Sequence, residues 1–295
     1  MKVAVLGTGI MGGAMARRAA ASGIEVTAWS EPLEDARKLE PDGVQAGGTA
    51  REAAADADVV VTMAPDAEAI AGFATGEAGF LAGASRRGDG AGLVWVQCAT
   101  VGLEGCERLA ALARDAGVTY VDAPVLGTRE PAERGELVLL ASGPDAAVDR
   151  CAPFFDAIGG RTLRLGPAGG GTRLKLVVNN WIVGTVAVLA EAMALAETLG
   201  VEGEVFLDAI ADSAVDMGYA QVKGRMMIER GYPVSMPLAH AVKDARLAAV
   251  AAGRHGLEHA VTRAAAALLE RAAADGDPSE DMAAAFRVAA RRRDR

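Results

Sequence analysis

Apolar residues cluster in short, nearly unbroken runs along the first half of the chain, at positions 3–6, 25–29, 59–63, 94–96, 119–121 and 137–141. Helix-period segments lie between several of them, at 11–22, 32–39, 50–55, 67–74 and 103–116. A strand covered on both faces has no polar side to show, so it reads as a continuous apolar run. Such strands alternating with helices predict a parallel sheet sandwiched between helical layers.

The pattern changes near residue 165. Gly166-Pro167-Ala168-Gly169-Gly170-Gly171 breaks any regular element. Beyond it, positions 174–199, 204–211, 219–229, 239–252, 258–274 and 282–293 all fit helical spacing, and no convincing strand remains. This predicts two domains, 1–164 with the sheet and 165–295 all-helical. The apolar stretch 181–190 has about half the length of a membrane helix, and Lys175 and Glu191 flank it. It reads as a core helix. The basic end Arg291-Arg292-Arg293 suits the negative pole of a helix dipole.

Composition narrows the partners. With 51% hydrophobic and 23% charged residues, the 295-residue chain has the makings of a core and is not disordered. Acids outnumber bases by 39 to 30, a net charge of -9, which disfavours nucleic acid. Cys98, Cys106 and Cys151 are odd in number and lack metal-ligand spacing, as expected of buried thiols in a cytoplasmic protein. His255 and His259 are spaced i, i+4, as zinc ligands on a helix can be, but no carboxylate or cysteine completes a set at motif spacing, so no metal site is expected.

Gly7-Thr8-Gly9-Ile10-Met11-Gly12 matches G-x-G-x-x-G directly after the first strand and at the start of the first helix. In that context Gly7 makes the tight turn, Gly9 lets a pyrophosphate approach the backbone, and Gly12 lets helix and strand pack closely. The helix N-terminus then offers free N–H groups to the phosphates. Glu31, after Ser30 at the end of the second strand, stands where an acid selects the ribose diol of NAD over the 2′-phosphate of NADP. A plain first-turn acid beside Pro32 is the other reading of Glu31.

Lysine is sparse here, at positions 2, 38, 175, 223 and 243. Lys175 stands in an otherwise apolar segment, and Asn179 follows it by one helical turn on the same face. Partly desolvated, such an ammonium exchanges a proton more readily near neutral pH. Alternatively its stem packs and its head reaches water. The pattern leaves both open.

Five motifs in order carry a resemblance over essentially the whole chain: the glycine loop, Met63-Ala64-Pro65-Asp66, Asp122-Ala123-Pro124-Val125-Leu126-Gly127-Thr128, Lys175-Leu176-Val177-Val178-Asn179-Asn180, and Lys243-Asp244. The chain resembles β-hydroxyacid dehydrogenases of the 3-hydroxyisobutyrate dehydrogenase type. The resemblance implies a Rossmann doubly wound sheet and an all-helical C-terminal domain, joined by a long helix. It implies an active site in the cleft and a homo-oligomer built through the helical half.

By position, the resemblance makes Lys175 the general acid/base and Asn179 its hydrogen-bonding helper. It puts Met63, Ala64, Pro65, Thr100 and Lys243 against the cofactor, beside the residues of the glycine loop and Ser30-Glu31. It assigns Leu126, Gly127 and Thr128 to the substrate carboxylate and Met236 to the pocket wall. The implied reaction is hydride transfer between NAD or NADP and a small hydroxy acid or aldehyde acid. The stretch Arg129-Glu130-Pro131-Ala132-Glu133-Arg134-Gly135 resembles the glyoxylate and succinic semialdehyde reductase branch.

The chain departs from its relatives in three places. Leu126 and Ala99 stand where many have serine, and Ser30-Glu31-Pro32 replaces the Asn-Arg-Thr of NADP-preferring members. An imine reductase acting on a bulkier apolar substrate, and a dinucleotide-binding scaffold without catalysis, are the competing readings. Imine reductases commonly carry Asp or Tyr in place of Lys175, and non-catalytic relatives lack the lysine.

Overall fold

The computed structural model describes residues 1–82 and 92–291. It divides into two compact units, Met1–Lys175 and Leu176–Arg295.

In the first unit six parallel strands form one sheet: β1 (Lys2–Leu6), β2 (Glu25–Trp29), β3 (Gln45–Ala46), β4 (Val59–Thr62), β5 (Val94–Gln97) and β6 (Thr119–Asp122). Their order is β3-β2-β1-β4-β5-β6, so the chain direction across the sheet reverses between β1 and β4. Ligands of open α/β sheets bind beyond the carboxyl ends of the strands at such a reversal. Val59, Val60, Val61, Val94, Trp95 and Val96 are all buried, because helices cover both faces of these strands. Separate apolar clusters lie on the two sides of the sheet, one around Val5, Met15 and Val61, the other around Leu6, Val60 and Trp95.

A second, three-stranded sheet follows, made of β7 (Val125–Leu126), β8 (Leu137–Ala141) and β9 (Gly159–Arg164) in that order. A bridge between Asp122 and Ser142 links it to the end of β6. The hydrophobic pattern misses β3, β7 and β9. Two of these are only two residues long, and β9 (Gly-Gly-Arg-Thr-Leu-Arg) carries no apolar run. The helix Asp145–Ile158 is also unheralded, because Pro153 interrupts its pattern. Proline in a helix interior ordinarily breaks it; here the flanking Phe154, Phe155 and Ile158 are buried in the core.

The second unit holds only helices among the described residues. Its core gathers Val183, Val186, Met193, Met227, Leu238, Ala241, Ala245, Leu269 and Phe286. The helix Gly170–Leu199 is 30 residues long and much exceeds the apolar stretch at 181–190. By length and composition alone it could cross a membrane, although only 44% of its most apolar window is buried. One face packs into the core through Val183, Val186, Ala190 and Met193. The opposite face leaves Val177, Trp181, Val188, Leu195 and Leu199 exposed. The stretch 181–190 is thus a core helix on one face, and the expectation that it is buried is corrected for the other.

Near the C-terminus the expected helix 282–293 is a 3-10 turn, Met282–Ala285, followed by one short α-helix, Phe286–Ala289. The run Met-Ala-Ala-Ala is entirely buried, and the tighter turn fits it between neighbours. Arg292 and Arg293 lie outside the described residues. His255 closes the helix Leu238–Arg254 and His259 precedes Ala260–Asp275, so the two histidines do not share a helix. No group of three metal-ligating side chains occurs among the described residues.

Candidate active site

The glycine loop crosses from β1 into the helix Ile10–Ala21. Gly7 has φ +92°, and a Cβ there would stand 2.1 Å from the Met63 carbonyl oxygen. A Cβ on Gly12 would lie 1.9 Å from the Gly7 carbonyl oxygen. Only glycine fits at either place. Gly9 differs: nothing lies within 4 Å of its would-be Cβ. The backbone there is open to a bulky partner.

Two further features show that the loop fits a dinucleotide. Gly9 caps the helix with no side-chain hydrogen bond, and the first turn carries no acid, so its N–H groups have no competing anion. The Thr8 hydroxyl is buried with no hydrogen-bond partner among the described residues. Ser30, by contrast, is engaged: its Oγ accepts the Thr8 N–H at 3.3 Å and braces the loop from the end of β2. Ile10 and Glu31 are exposed and Met11 is half-buried.

The turns after the neighbouring strands hold the other expected residues of this unit. Met63, Ala64 and Pro65 follow β4. The Met63 N–H donates to the Leu6 carbonyl, and Asp66 caps the next helix through the Ala69 N–H at 2.9 Å. Thr100 follows β5. The buried Gln97 amide donates to the Ala99 carbonyl and accepts the Ala99 N–H, closing the turn that leads to Thr100. Leu126 ends β7, Gly127 has φ +122° and Thr128 begins the helix Arg129–Arg134. Arg129 pairs with Glu133 at 2.8 Å.

Lys175 is half-buried, and its Nζ donates to the Val125 carbonyl at 2.8 Å. This direct tie between the ammonium and the segment just before Leu126-Gly127-Thr128 is not readable from spacing, since 50 residues separate the partners.

The remaining expected residues belong to the helical unit. Asn179 is 1% exposed, and its Nδ2 donates to Asp244 Oδ2 at 2.6 Å. Lys243 Nζ donates to Asp244 Oδ1 at 2.7 Å. Asp244 thus joins two expected residues and is itself buried. The sequence motif Lys243-Asp244 gives Asp244 no role of its own, and it lies well inside the helix Leu238–Arg254. The available signal was a carboxylate beside Ala241, Ala245 and Ala248 on the buried face. Met236 is half-buried, with its N–H on Asp281 Oδ2 at 3.1 Å and its carbonyl accepting the Met282 N–H at 3.0 Å.

Comparison with known proteins identifies the family. Residues 2–166 match the model of the NAD-binding domain of 6-phosphogluconate dehydrogenase. Residues 169–289 match that of the NAD-binding domain of NADP-dependent 3-hydroxyisobutyrate dehydrogenase. The chain belongs to the 3-hydroxyisobutyrate dehydrogenase family. As a member it is an oxidoreductase of the NAD(P)-dependent hydroxyacid dehydrogenase class.

Among curated relatives of the family, the chloroplastic glyoxylate/succinic semialdehyde reductase 2 of Arabidopsis thaliana is 30% identical over 284 residues. That match spans 96% of this chain and 78% of the plant protein. The 3-hydroxyisobutyrate dehydrogenase of Mycobacterium tuberculosis, solved with L-serine, superposes with a TM-score of 0.85 at 26% identity, covering 97% of this chain and 98% of that one. A 3-hydroxyisobutyrate dehydrogenase from Salmonella typhimurium shares the fold, with a TM-score of 0.86 at 24% identity over 98% of this chain and 99% of that one.

Proposed function

We propose that this enzyme interconverts a small aldehyde acid and its hydroxy acid, with Lys175 as general acid/base. The observation that carries the proposal is the half-buried Lys175 ammonium held 2.8 Å from the Val125 carbonyl, immediately ahead of Leu126-Gly127-Thr128. The dinucleotide supplies or accepts the hydride. Lys175 Nζ donates a proton to the substrate oxygen on reduction and accepts the hydroxyl proton on oxidation. The Gly127 and Thr128 N–H groups hold the substrate carboxylate. Leu126 brings no donor and Arg129 is engaged by Glu133, so backbone groups carry that recognition. Asn179, one helical turn after Lys175 and with its amide held by Asp244, orients the reacting oxygen. The protein's contribution is mainly placement.

The proposed cofactor is NAD. Glu31 is exposed at the end of β2, where it would accept hydrogen bonds from a ribose diol and repel a 2′-phosphate. The nearest cations on the following helix are engaged by acids of their own, Arg37 with Glu34 at 3.9 Å and Lys38 with Asp35 at 2.6 Å. We further propose a homo-oligomer assembled through the exposed apolar face of the helix Gly170–Leu199. The substrate reading draws on the Arabidopsis relative, whose name gives glyoxylate and succinic semialdehyde.

A panel of glyoxylate, succinic semialdehyde, short hydroxy acids and one cyclic imine, each run with NADH or NAD and with the phosphorylated forms, tests the proposal. Turnover of an aldehyde acid or hydroxy acid is expected. Turnover of the imine alone contradicts the substrate class.

A further inference from the structure

Outside the residues assigned above, one buried carboxylate holds an unusual position. Asp122 ends β6 and is 0% exposed. Its Oδ1 accepts the Thr172 hydroxyl at 2.7 Å, and its Oδ2 accepts the Thr172 N–H at 2.7 Å and the Ser142 hydroxyl at 3.1 Å. Ser142 Oγ in turn accepts the Gly171 N–H at 2.9 Å. The Gly171 and Thr172 N–H groups at the start of the helix Gly170–Leu199 are therefore satisfied by side chains at the ends of β6 and β8. A Cβ on Gly171 would stand 2.1 Å from the Leu140 carbonyl oxygen, so the helix start lies backbone against backbone.

Thr172 precedes Lys175 by three residues, and Asp122 precedes Val125 by three. The carboxylate thus clamps both segments one turn or less before the point where ammonium meets carbonyl. No cation pairs with Asp122 among the described residues, and burial pushes its carboxyl above the ordinary 3.8 in spite of the hydrogen bonds. The helix N-terminal dipole favours the charge.

We propose that Asp122, acting through Thr172 and Ser142, is a positioning residue that sets the place of Lys175 relative to the Leu126-Gly127-Thr128 turn. The inference rests on the acid/base role proposed for Lys175. Thr172→Val removes one hydroxyl at nearly constant volume and leaves the backbone bond to Asp122. Thr172→Ser keeps the hydroxyl. Ser142→Ala is a second, independent variant.

The test is the single-turnover rate of reduced-dinucleotide oxidation with saturating succinic semialdehyde, using cofactor with and without deuterium at C4. Thr172→Val and Ser142→Ala are expected to slow the step about tenfold and to enlarge the isotope effect. Dinucleotide affinity should stay within about twofold, and Thr172→Ser should recover the rate. Wild-type rates in folded Thr172→Val and Ser142→Ala overturn the proposal while leaving the Lys175 reading intact. Undiminished turnover in Lys175→Ala overturns both.

Discussion

Glu31 is the residue on which cofactor choice turns. A carboxylate at that point accepts two ribose hydroxyls and opposes a phosphate, and an arginine does the reverse. In Glu31→Arg the ratio of kcat/KM for NADPH over NADH should rise at least about tenfold, which corresponds to about 1.4 kcal/mol. A wild type that already prefers NADPH contradicts the role given to Glu31. The contrast with Ser30 is instructive. Both follow β2, but Ser30 spends its oxygen on the Thr8 N–H, and this could not be read from its neighbours in the chain. Gly7 and Gly12 were legible because each does something only glycine can do. The partners of Asp122 and Asp244 were not, because they lie 50 and 65 residues away.

At the scale of elements, alternation of apolar runs with helical spacing revealed five of the six parallel strands. It failed for β3 and β7, too short to show a period, and for the C-terminal 3-10 turn. That turn is held by a buried ion pair. Lys223 and Asp281 are 1% and 0% exposed, 2.6 Å apart. Asp281 also accepts the N–H groups of Ser235, Met236 and Ala283. Burial alone would raise the Asp281 carboxyl, but Lys223 and these N–H groups hold it below its ordinary 3.8.

The sign of the pH effect follows. A carboxylate whose folded value is depressed stabilises the fold fully above its unfolded value, and that contribution drains away as pH falls through the folded value. Lys223→Met should cost about 3 to 5 kcal/mol at neutral pH, because it strands a buried charge. It should also flatten the loss of stability below pH 3.8 that is expected of the wild type, as read by denaturant titrations at a series of pH values. Equal steepness in both proteins would show that the pair does not govern acid stability.

For the whole molecule, the exposed residues Val177, Trp181, Val188, Leu195 and Leu199 recur in steps of four and seven along one helix face. They span about 33 Å at 1.5 Å per residue. Trp181 alone is 64% exposed. A contiguous apolar strip of this size marks an interaction surface, and a second copy of the chain offers the same strip in return. Light scattering should find a dimer or larger assembly for the wild type and a smaller species for Trp181→Glu. A monomeric wild type at micromolar concentration rules the assembly out. This surface was half legible: the apolar spacing was plain, but the sequence could not say which stripe faces inward, since both faces of the helix are apolar.

The central claim is that a single ammonium moves the proton while other residues bind the dinucleotide. Lys175→Ala separates the two most directly, by titrating reduced dinucleotide through its fluorescence and measuring turnover on the same sample. The account predicts binding within a few-fold of wild type and turnover lower by at least about a thousandfold, near the loss of one proton-transfer group. Turnover within tenfold of wild type would contradict it.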